Sequence, residues 1–198
     1  MSRSAIIILT AALLWTAACR SSSRSSDGFD ILGPADETAN AAKLVSEANQ
    51  DLTKIKVLYK QNESKREELK KALETNDAEQ VKKTSDDVVY LINDGAAFGK
   101  SAIEKIEKAQ ELNANEDYKE YLRLKEEALK RQLEAFENYR QAARSLRDNY
   151  DPKNAQLRDK VKEEFKTRSE NYQKIMEKAR DFSNQANELA KDALKKQK

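Results

Sequence analysis

The sequence predicts an all-α protein, an elongated antiparallel up-down-up-down four-helix bundle with coiled-coil-like heptad packing. Charged residues make up 36% of the 198 residues, while glycine occurs four times and proline twice, which is typical of long, solvated helices. Apolar residues recur at alternating steps of three and four, which keeps them on one face of a helix. The breaks between these stripes span only two or three residues, so consecutive helices are expected to be antiparallel neighbours.

The first predicted helix spans about residues 36–74. It begins after Pro34 and ends at the polar run Thr75-Asn76-Asp77. Its stripe contains Ala41, Val45, Ala48, Leu52, Ile55, Tyr59, Asn62, Arg66, Leu69 and Leu73. Asn62 and Arg66 are the polar members of this stripe.

The second predicted helix spans about residues 77–112, and Asn76 with Glu79 has the spacing of a capping box at its start. Its stripe contains Ala78, Val81, Ser85, Val88, Ile92, Gly95, Gly99, Ala102, Ile106 and Ala109. Each interior glycine costs about 1 kcal/mol relative to alanine, so an alternative ends the helix near Asp94 and restarts it at Ser101. The stripe keeps its register across both glycines, which favours one continuous helix.

The third and fourth predicted helices span about residues 115–150 and 152–196 of a bundle domain that covers 36–198. The third stripe contains Tyr118, Leu122, Lys125, Leu129, Gln132, Phe136, Tyr139, Ala143, Leu146 and Tyr150. The fourth contains Leu157, Val161, Glu164, Arg168, Tyr172, Ile175, Ala179, Phe182, Ala186, Leu189 and Ala193. Asp151 before Pro152 is a typical N-cap followed by the first helical position. The main alternative architecture is an extended coiled-coil homodimer.

The composition argues against most enzyme classes and against bound cofactors. The chain has no histidine and one cysteine, which removes disulfides and histidine-based metal sites. Among the stripe positions only Glu164 is acidic, so convergent carboxylates for a metal or for acid–base catalysis are not expected. With 37 basic and 35 acidic side chains, the charge gives no case for nucleic acid binding. We therefore expect a protein that is not an enzyme, with no metal and no cofactor.

The first 18 residues are typical of a cleaved signal peptide. Arg3 precedes an apolar run that starts at Ala5 and is too short to span a membrane. Thr16-Ala17-Ala18-Cys19 then resembles the lipobox of bacterial lipoproteins, although Thr16 stands where that family prefers leucine. The resemblance implies cleavage before Cys19 and acylation of its sulfur and its new amine. Residues 19–35, rich in serine and glycine, are expected to form a flexible tether.

The resemblance also implies a membrane partner and an extracytoplasmic location. Arg20 follows the cysteine, where aspartate marks inner-membrane retention in proteobacterial lipoproteins, so the outer membrane is favoured if the host has one. We expect a non-enzymatic binding or scaffolding module with a protein partner in the cell envelope. The alternatives are a sensory or small-ligand-binding bundle and an apolipoprotein-like lipid-binding protein.

The polar members of three stripes are predicted to meet in one layer. Each residue advances an α-helix by the same distance, so residues at equal counts from a shared end of the bundle lie at the same height. This count places five residues at similar heights, namely Asn62, Arg66, Ser85, Glu164 and Arg168. We expect Arg66 to pair with Glu164 in a partly buried layer that fixes the helix register. The alternative is that both side chains reach outward at the edges of their stripes.

A second candidate site surrounds the interior glycines. The same counting places Gly95 and Gly99 near the height of Tyr59, Phe136 and Tyr172. The glycines could line a small-ligand cavity at a kink. The alternative is that they only provide room for large side chains on the facing helices.

Overall fold

The computed structural model of the chain describes residues 36–196, and the side chains of 36–192. The predicted signal peptide, the lipidated Cys19 and the tether lie outside the described residues. The described part consists of four α-helices and contains no strand. The helices are α1 (Thr38–Thr75), α2 (Ala78–Gln110), α3 (Glu116–Asn149) and α4 (Ala155–Lys196). The predicted all-α class is confirmed for this part of the chain.

The turn between α1 and α2 is capped one residue later than the sequence suggests. Asn76 ends α1 in the left-handed region, at φ 54°, and its N–H donates to the carbonyl of Ala72. Asn tolerates this conformation better than most residues with a side chain. The carboxylate of Asp77 accepts the N–H of Gln80 at 3.0 Å and caps α2. The predicted capping box between Asn76 and Glu79 is therefore wrong.

The start of α4 also differs from its prediction. The Asp151 carboxylate accepts the N–H of Lys153 at 2.9 Å, which closes a local turn instead of a helix. Asn154 caps the helix instead, because its side-chain oxygen accepts the N–H of Leu157 at 3.1 Å. The helix begins at Ala155, three residues after the predicted position at Pro152.

The interior glycines lie within an unbroken helix. α2 continues from Ala78 to Gln110, and Gly95 and Gly99 are both buried in it. The prediction of one continuous helix is confirmed, and the alternative restart at Ser101 is wrong. The apolar face of α2 stabilises these positions through packing, which outweighs the low intrinsic helix propensity of glycine.

The core is made of three apolar clusters, each drawn from at least three helices. The first contains residues from the beginning of α1, the end of α2 and the beginning of α3, among them Val45, Ile106 and Leu122. The second contains Ile55, Ile92, Phe136, Tyr139 and Tyr172 from all four helices, and the third contains Leu69, Val81, Leu146 and Val161. Every helix therefore buries its apolar stripe against the others, as a bundle requires.

The four helices do not approach one another equally closely. Cα atoms come within 8 Å along extended interfaces of α1 with α2, α2 with α3 and α3 with α4, whereas α1 and α4 share no extended interface of this kind. Long side chains connect α1 to α4. The Arg66 guanidinium lies 5.2 Å from the centroid of the Tyr172 ring, and Lys162 Nζ donates to the carbonyl of Leu73 at 2.7 Å. We call this side-chain contact region the α1–α4 seam.

Candidate functional site

The α1–α4 seam contains a guanidinium stacked on two tyrosines. The Arg66 guanidinium carbon lies 5.1 Å from the centroid of the Tyr139 ring and 5.2 Å from that of Tyr172. The two rings are themselves 5.3 Å apart. A contact between a cation and an aromatic ring contributes about 0.5–2 kcal/mol, more when it is desolvated. Among the described residues Arg66 makes no salt bridge, so the rings are its principal partners.

Two buried polar side-chain atoms of α1 and α2 have no hydrogen-bond partner among the described residues. They are Asn62 Oδ1, one helical turn before Arg66 on α1, and Ser85 Oγ on α2. Asn62 is 6% exposed and Ser85 is fully buried. An unpaired buried polar group costs about 1–3 kcal/mol. We call Asn62, Arg66, Ser85, Tyr139 and Tyr172 the Arg66 layer.

The two tyrosines of this layer remain neutral phenols. Burial raises the pKa of Tyr139 to about 12. The pKa of Tyr172 is also raised, first by burial and then by the neighbouring phenol of Tyr59. Neutral phenols donate hydrogen bonds and present electron-rich ring faces to a cation, so they suit contact with Arg66.

The predicted pair between Arg66 and Glu164 is wrong. The Glu164 carboxylate accepts hydrogen bonds from the Ser145 hydroxyl at 2.8 Å and from Arg168 Nε at 2.9 Å. The hydrogen bond from Ser145, followed by that from Arg168, lowers the pKa of Glu164. The Glu164 and Arg168 side chains are 38% and 32% exposed. These two residues therefore form a pair on α4 at the edge facing α3. The alternative interpretation, an outward direction for both Glu164 and Arg66, holds for Glu164 but not for Arg66, which lies over two core rings.

One reason is a local error of one residue in the α4 stripe, whose members Val161 and Tyr172 are buried as expected. Phe165 packs toward the core, and its ring centroid lies 5.8 Å from that of Tyr139. Glu164 precedes it by one residue and is therefore rotated by about 100° around the helix axis. The predicted height of Glu164 is wrong as well. Arg66 contacts Tyr172, which lies eight residues after Glu164 on α4, whereas Lys162, two residues before Glu164, donates to the carbonyl of Leu73.

The glycine positions are closely packed and leave no cavity. A Cβ atom on Gly95 would lie 3.7 Å from the Phe136 ring and 3.9 Å from Leu58. A Cβ atom on Gly99 would lie 2.6 Å from a methyl group of Leu133, which is closer than real Cβ atoms approach. Of the residues predicted to face the glycines, Phe136 does so, while Tyr59 and Tyr172 lie beyond 4 Å from these points.

A second polar layer joins α1 to α2, and the sequence analysis missed it. The side chain of Asp51 is only 5% exposed. Its carboxylate accepts hydrogen bonds from Ser101 Oγ at 2.8 Å, from Lys54 Nζ at 3.3 Å and from Lys105 Nζ. Burial by itself raises the pKa of Asp51, but the hydrogen bonds from Lys105, Ser101 and Lys54 outweigh it, so the pKa lies below its usual value. We call Asp51, Ser101 and Lys105 the Asp51 layer.

The Asp51 layer contains a serine and a lysine in contact, but its chemistry is structural. Lys105 Nζ donates to Ser101 Oγ at 3.0 Å, a separation that would suit a nucleophile and its general base. Lys105 Nζ donates to both the Ser101 hydroxyl and the Asp51 carboxylate, so it acts as a hydrogen-bond donor in this layer and not as a proton acceptor. Among the described residues no group of three or more histidine, cysteine, aspartate or glutamate side chains could hold a metal ion.

A small cavity opens in the α1–α4 seam beside α3. Its volume is about 60 Å³. It is lined by the apolar Leu52, Ala128, Leu129 and Ala186 and by the polar Lys125, Gln132, Ser183 and Asn187. The Lys125 ammonium donates to Asn49 Oδ1 at 3.0 Å and lies 5.4 Å from the centroid of the Tyr121 ring. Burial, and then the nearby charge of Lys56, lowers the pKa of Lys125.

The outer surface of the bundle gives fewer indications of function. Among the side chains of residues 36–192, two large apolar ones are exposed, Val57 on α1 and Tyr90 on α2. Within residues 36–196 no helix combines the length and the apolar character that a membrane crossing requires. Comparisons of the chain with protein-family models, curated proteins and solved structures found no match.

Proposed function

We propose that this chain is a lipid-anchored lipoprotein of the cell envelope whose helical bundle acts as a non-enzymatic binding or scaffolding module. The observation that carries the proposal is the position of Cys19, the single cysteine, directly after Thr16-Ala17-Ala18 and a short apolar run. Two or more acyl chains hold a protein on a bilayer far more firmly than one chain does. The described residues support the non-enzymatic part, because the serine and lysine of the Asp51 layer are held by a carboxylate.

We further propose that the helices run alternately up and down with heptad-like packing. The N–H of Glu37 donates to the carbonyl of Asn113 at 2.9 Å, which supports a start of α1 beside the turn between α2 and α3. The Tyr150 hydroxyl donates to Asn76 Oδ1 at 2.9 Å, which supports an end of α3 beside the turn between α1 and α2. With 33 to 42 residues, each helix is about 50–63 Å long.

This arrangement gives the proposed module a simple mode of action. Residues 19–35 would enter the bundle where α1 begins, and as a flexible coil they would span roughly 20–25 Å. The bundle would then present its side surface within a limited range of distances from the membrane. A protein partner in the envelope would bind this surface. The exposed Val57 and Tyr90 offer apolar contacts for such a partner.

The anchor is tested by mass spectrometry and membrane fractionation of the full chain. The wild-type protein should begin at an acylated Cys19 and sediment with membranes, while Cys19→Ser should remain uncleaved or become soluble. The double variant Cys19→Ser, Ser21→Cys is the matched control, because it keeps one cysteine but moves it away from Ala17-Ala18. If Cys19→Ser is still processed and sediments as the wild type does, the anchor is wrong.

The apolipoprotein-like alternative has a different signature. Helices that open onto lipid would change their thermal unfolding when vesicles are added. We expect the same unfolding curve with and without vesicles for the Cys19→Ser variant, because the four helices bury their apolar stripes against one another. A vesicle-dependent transition would favour the alternative. The small-ligand alternative is favoured by one specific observation, the cavity beside Lys125.

A further inference from the structure

The cavity beside Lys125 contains an unbalanced positive charge. The partly buried Lys105 pairs with Asp51, and the partly buried Lys65 pairs with Glu68 and Asp87. Lys125 differs from both, because its polar partner is the neutral amide of Asn49 and no carboxylate of the described residues forms a salt bridge with it. Removing an ammonium group from water without an opposite charge is unfavourable. A neutral side chain at position 125 would avoid this unfavourable desolvation energy, yet the sequence has a lysine there.

The walls of the cavity are complementary to an anion that carries an apolar group. An ammonium group has three donors, and Lys125 uses one of them on Asn49, so two remain for an acceptor in the cavity. The side-chain amides of Gln132 and Asn187 add further donors. On the other side Leu52 and Leu129 present an apolar wall that a carboxylate alone would not fill favourably.

The size and position of the cavity limit the ligand further. Its volume of about 60 Å³ is several times the 10–15 Å³ that one water molecule needs. The cavity lies in the α1–α4 seam, where the helix backbones share no extended close interface. The seam can therefore widen by side-chain movement without separating a closely packed helix pair. These limits suit a short chain of a few carbon atoms.

We propose that this cavity is a binding site for a small carboxylate on a short apolar chain, held by Lys125 and by the wall of Leu52 and Leu129. This goes beyond the proposed anchoring and scaffolding function and does not depend on it. The carboxylate accepts hydrogen bonds from Lys125 and the neighbouring amides, and it balances the charges of Lys125 and Lys56. The apolar chain contacts Leu52 and Leu129.

The experiment titrates the full chain, purified in a mild detergent, with butyrate. Methyl signals of Leu52 and Leu129 report binding at the cavity by nuclear magnetic resonance, and a detergent-only sample gives the blank. Butylamine has a similar chain with the opposite charge, and inorganic phosphate has the charge without the chain. We expect a saturable shift of both methyl signals with butyrate and none with butylamine or phosphate.

Lys125→Met is the test variant and Lys130→Met is its matched control. Lys130 lies on the same helix but is half-exposed and paired with Glu126. Loss of a hydrogen bond to a charged group predicts at least a tenfold weaker butyrate affinity for Lys125→Met. The control should change the affinity by less than about twofold, as is usual for an exposed charge.

Thermal unfolding separates a binding role of Lys125 from a structural one. Without ligand, Lys125→Met should unfold at a higher temperature than the wild type, because it removes a partly buried charge that has no carboxylate partner. Butyrate should raise the unfolding temperature of the wild type but not that of Lys125→Met. The proposal is overturned by a non-saturating response to butyrate, by an equal response to phosphate, or by an unchanged affinity of Lys125→Met.

Discussion

The two polar layers of the bundle differ in how completely their groups are paired. They lie 11 residues apart on α1, from Asp51 to Asn62, or about 16 Å along the helix. In the Asp51 layer the buried carboxylate accepts three hydrogen bonds and has two lysines as counter-charges. In the Arg66 layer the cation stacks on two rings, and Asn62 and Ser85 have buried atoms without partners.

The difference follows the interfaces to which the layers belong. The Asp51 layer joins α1 to α2, whose backbones are closely packed. Arg66 contacts Tyr172 across the α1–α4 seam, where the backbones share no extended interface. A paired buried network permits only the helix register that satisfies it, whereas an incompletely paired one can exchange partners or water. The first interface is therefore specified by its polar groups, while the seam retains unused hydrogen-bonding capacity.

The difference between the two layers predicts that substitution of Lys105 has the largest effect on the free energy of unfolding. Replacing Lys105 with methionine leaves the carboxylate of Asp51 buried with only Ser101 and the more exposed Lys54 as partners. We expect a loss of about 3 kcal/mol in the free energy of unfolding, because cutting one partner of a buried pair leaves an uncompensated charge. Asp51→Leu should cost less, since the Lys105 ammonium is 27% exposed and can extend to water. Urea unfolding of both variants measures the difference.

The double variant Asp51→Leu, Lys105→Met completes the cycle and serves as the control. Replacing both partners of a buried ion pair with apolar residues is often nearly neutral, so most of the stability should return. Strictly additive losses would mean that the two side chains do not interact in solution. Equal losses for the two single variants would contradict the asymmetry in their burial.

The second prediction concerns the pH dependence of stability, and the expected change in the free energy of unfolding is of intermediate size. The pKa of Asp51 in the folded protein lies below its ordinary value of 3.8. A carboxyl group with a lowered folded pKa stabilises the protein above its unfolded pKa, and this contribution is lost as the pH falls through the folded pKa. At neutral pH, Asp51→Asn should be less stable than the wild type by about 2 kcal/mol. This difference should shrink as the pH falls below about 4.

Urea unfolding of both proteins at a series of pH values measures this difference directly. The other acidic groups titrate in both proteins, so the difference between the two curves isolates Asp51. A difference that stays constant down to the acid transition would show that the carboxylate is not the ionised, hydrogen-bonded group described above.

The helices could be predicted from the sequence because their stripes are long and regular. Their ends were less predictable, since neighbouring residues in each turn are all capable caps. Asn76 and Asp77 compete at one turn, and Asp151 and Asn154 compete at another. Only the backbone path decides which side chain reaches the first free N–H groups.

The candidate sites could be predicted only in part, because the height and the direction of single side chains depend on how the helices pack. Phe165 takes the inward position assigned to Glu164, and Asp51 is buried where the stripe was drawn through Leu52. In each case the error is one residue, or about 100° around the helix. The contact between Asp51 and Lys105 spans 54 positions along the chain. No local pattern pairs residues so far apart, because the pairing depends on how α1 and α2 face each other.

The smallest expected change in stability concerns Ser85, a member of the Arg66 layer, which is compared with its neighbour Thr84. Thr84 and Ser85 are both fully buried on α2. The Thr84 hydroxyl accepts a hydrogen bond from Gln80 Nε2 at 3.0 Å, whereas the Ser85 hydroxyl has no partner in the part of the chain that the structure describes. Ser85→Ala should stabilise the protein by about 1 kcal/mol, because it removes an unpaired polar group and raises helix propensity. Thr84→Val, the matched control, should be neutral or destabilising. If urea unfolding shows Ser85→Ala to be destabilising, the Ser85 hydroxyl has a partner in solution, and the two layers are more alike than their contacts indicate.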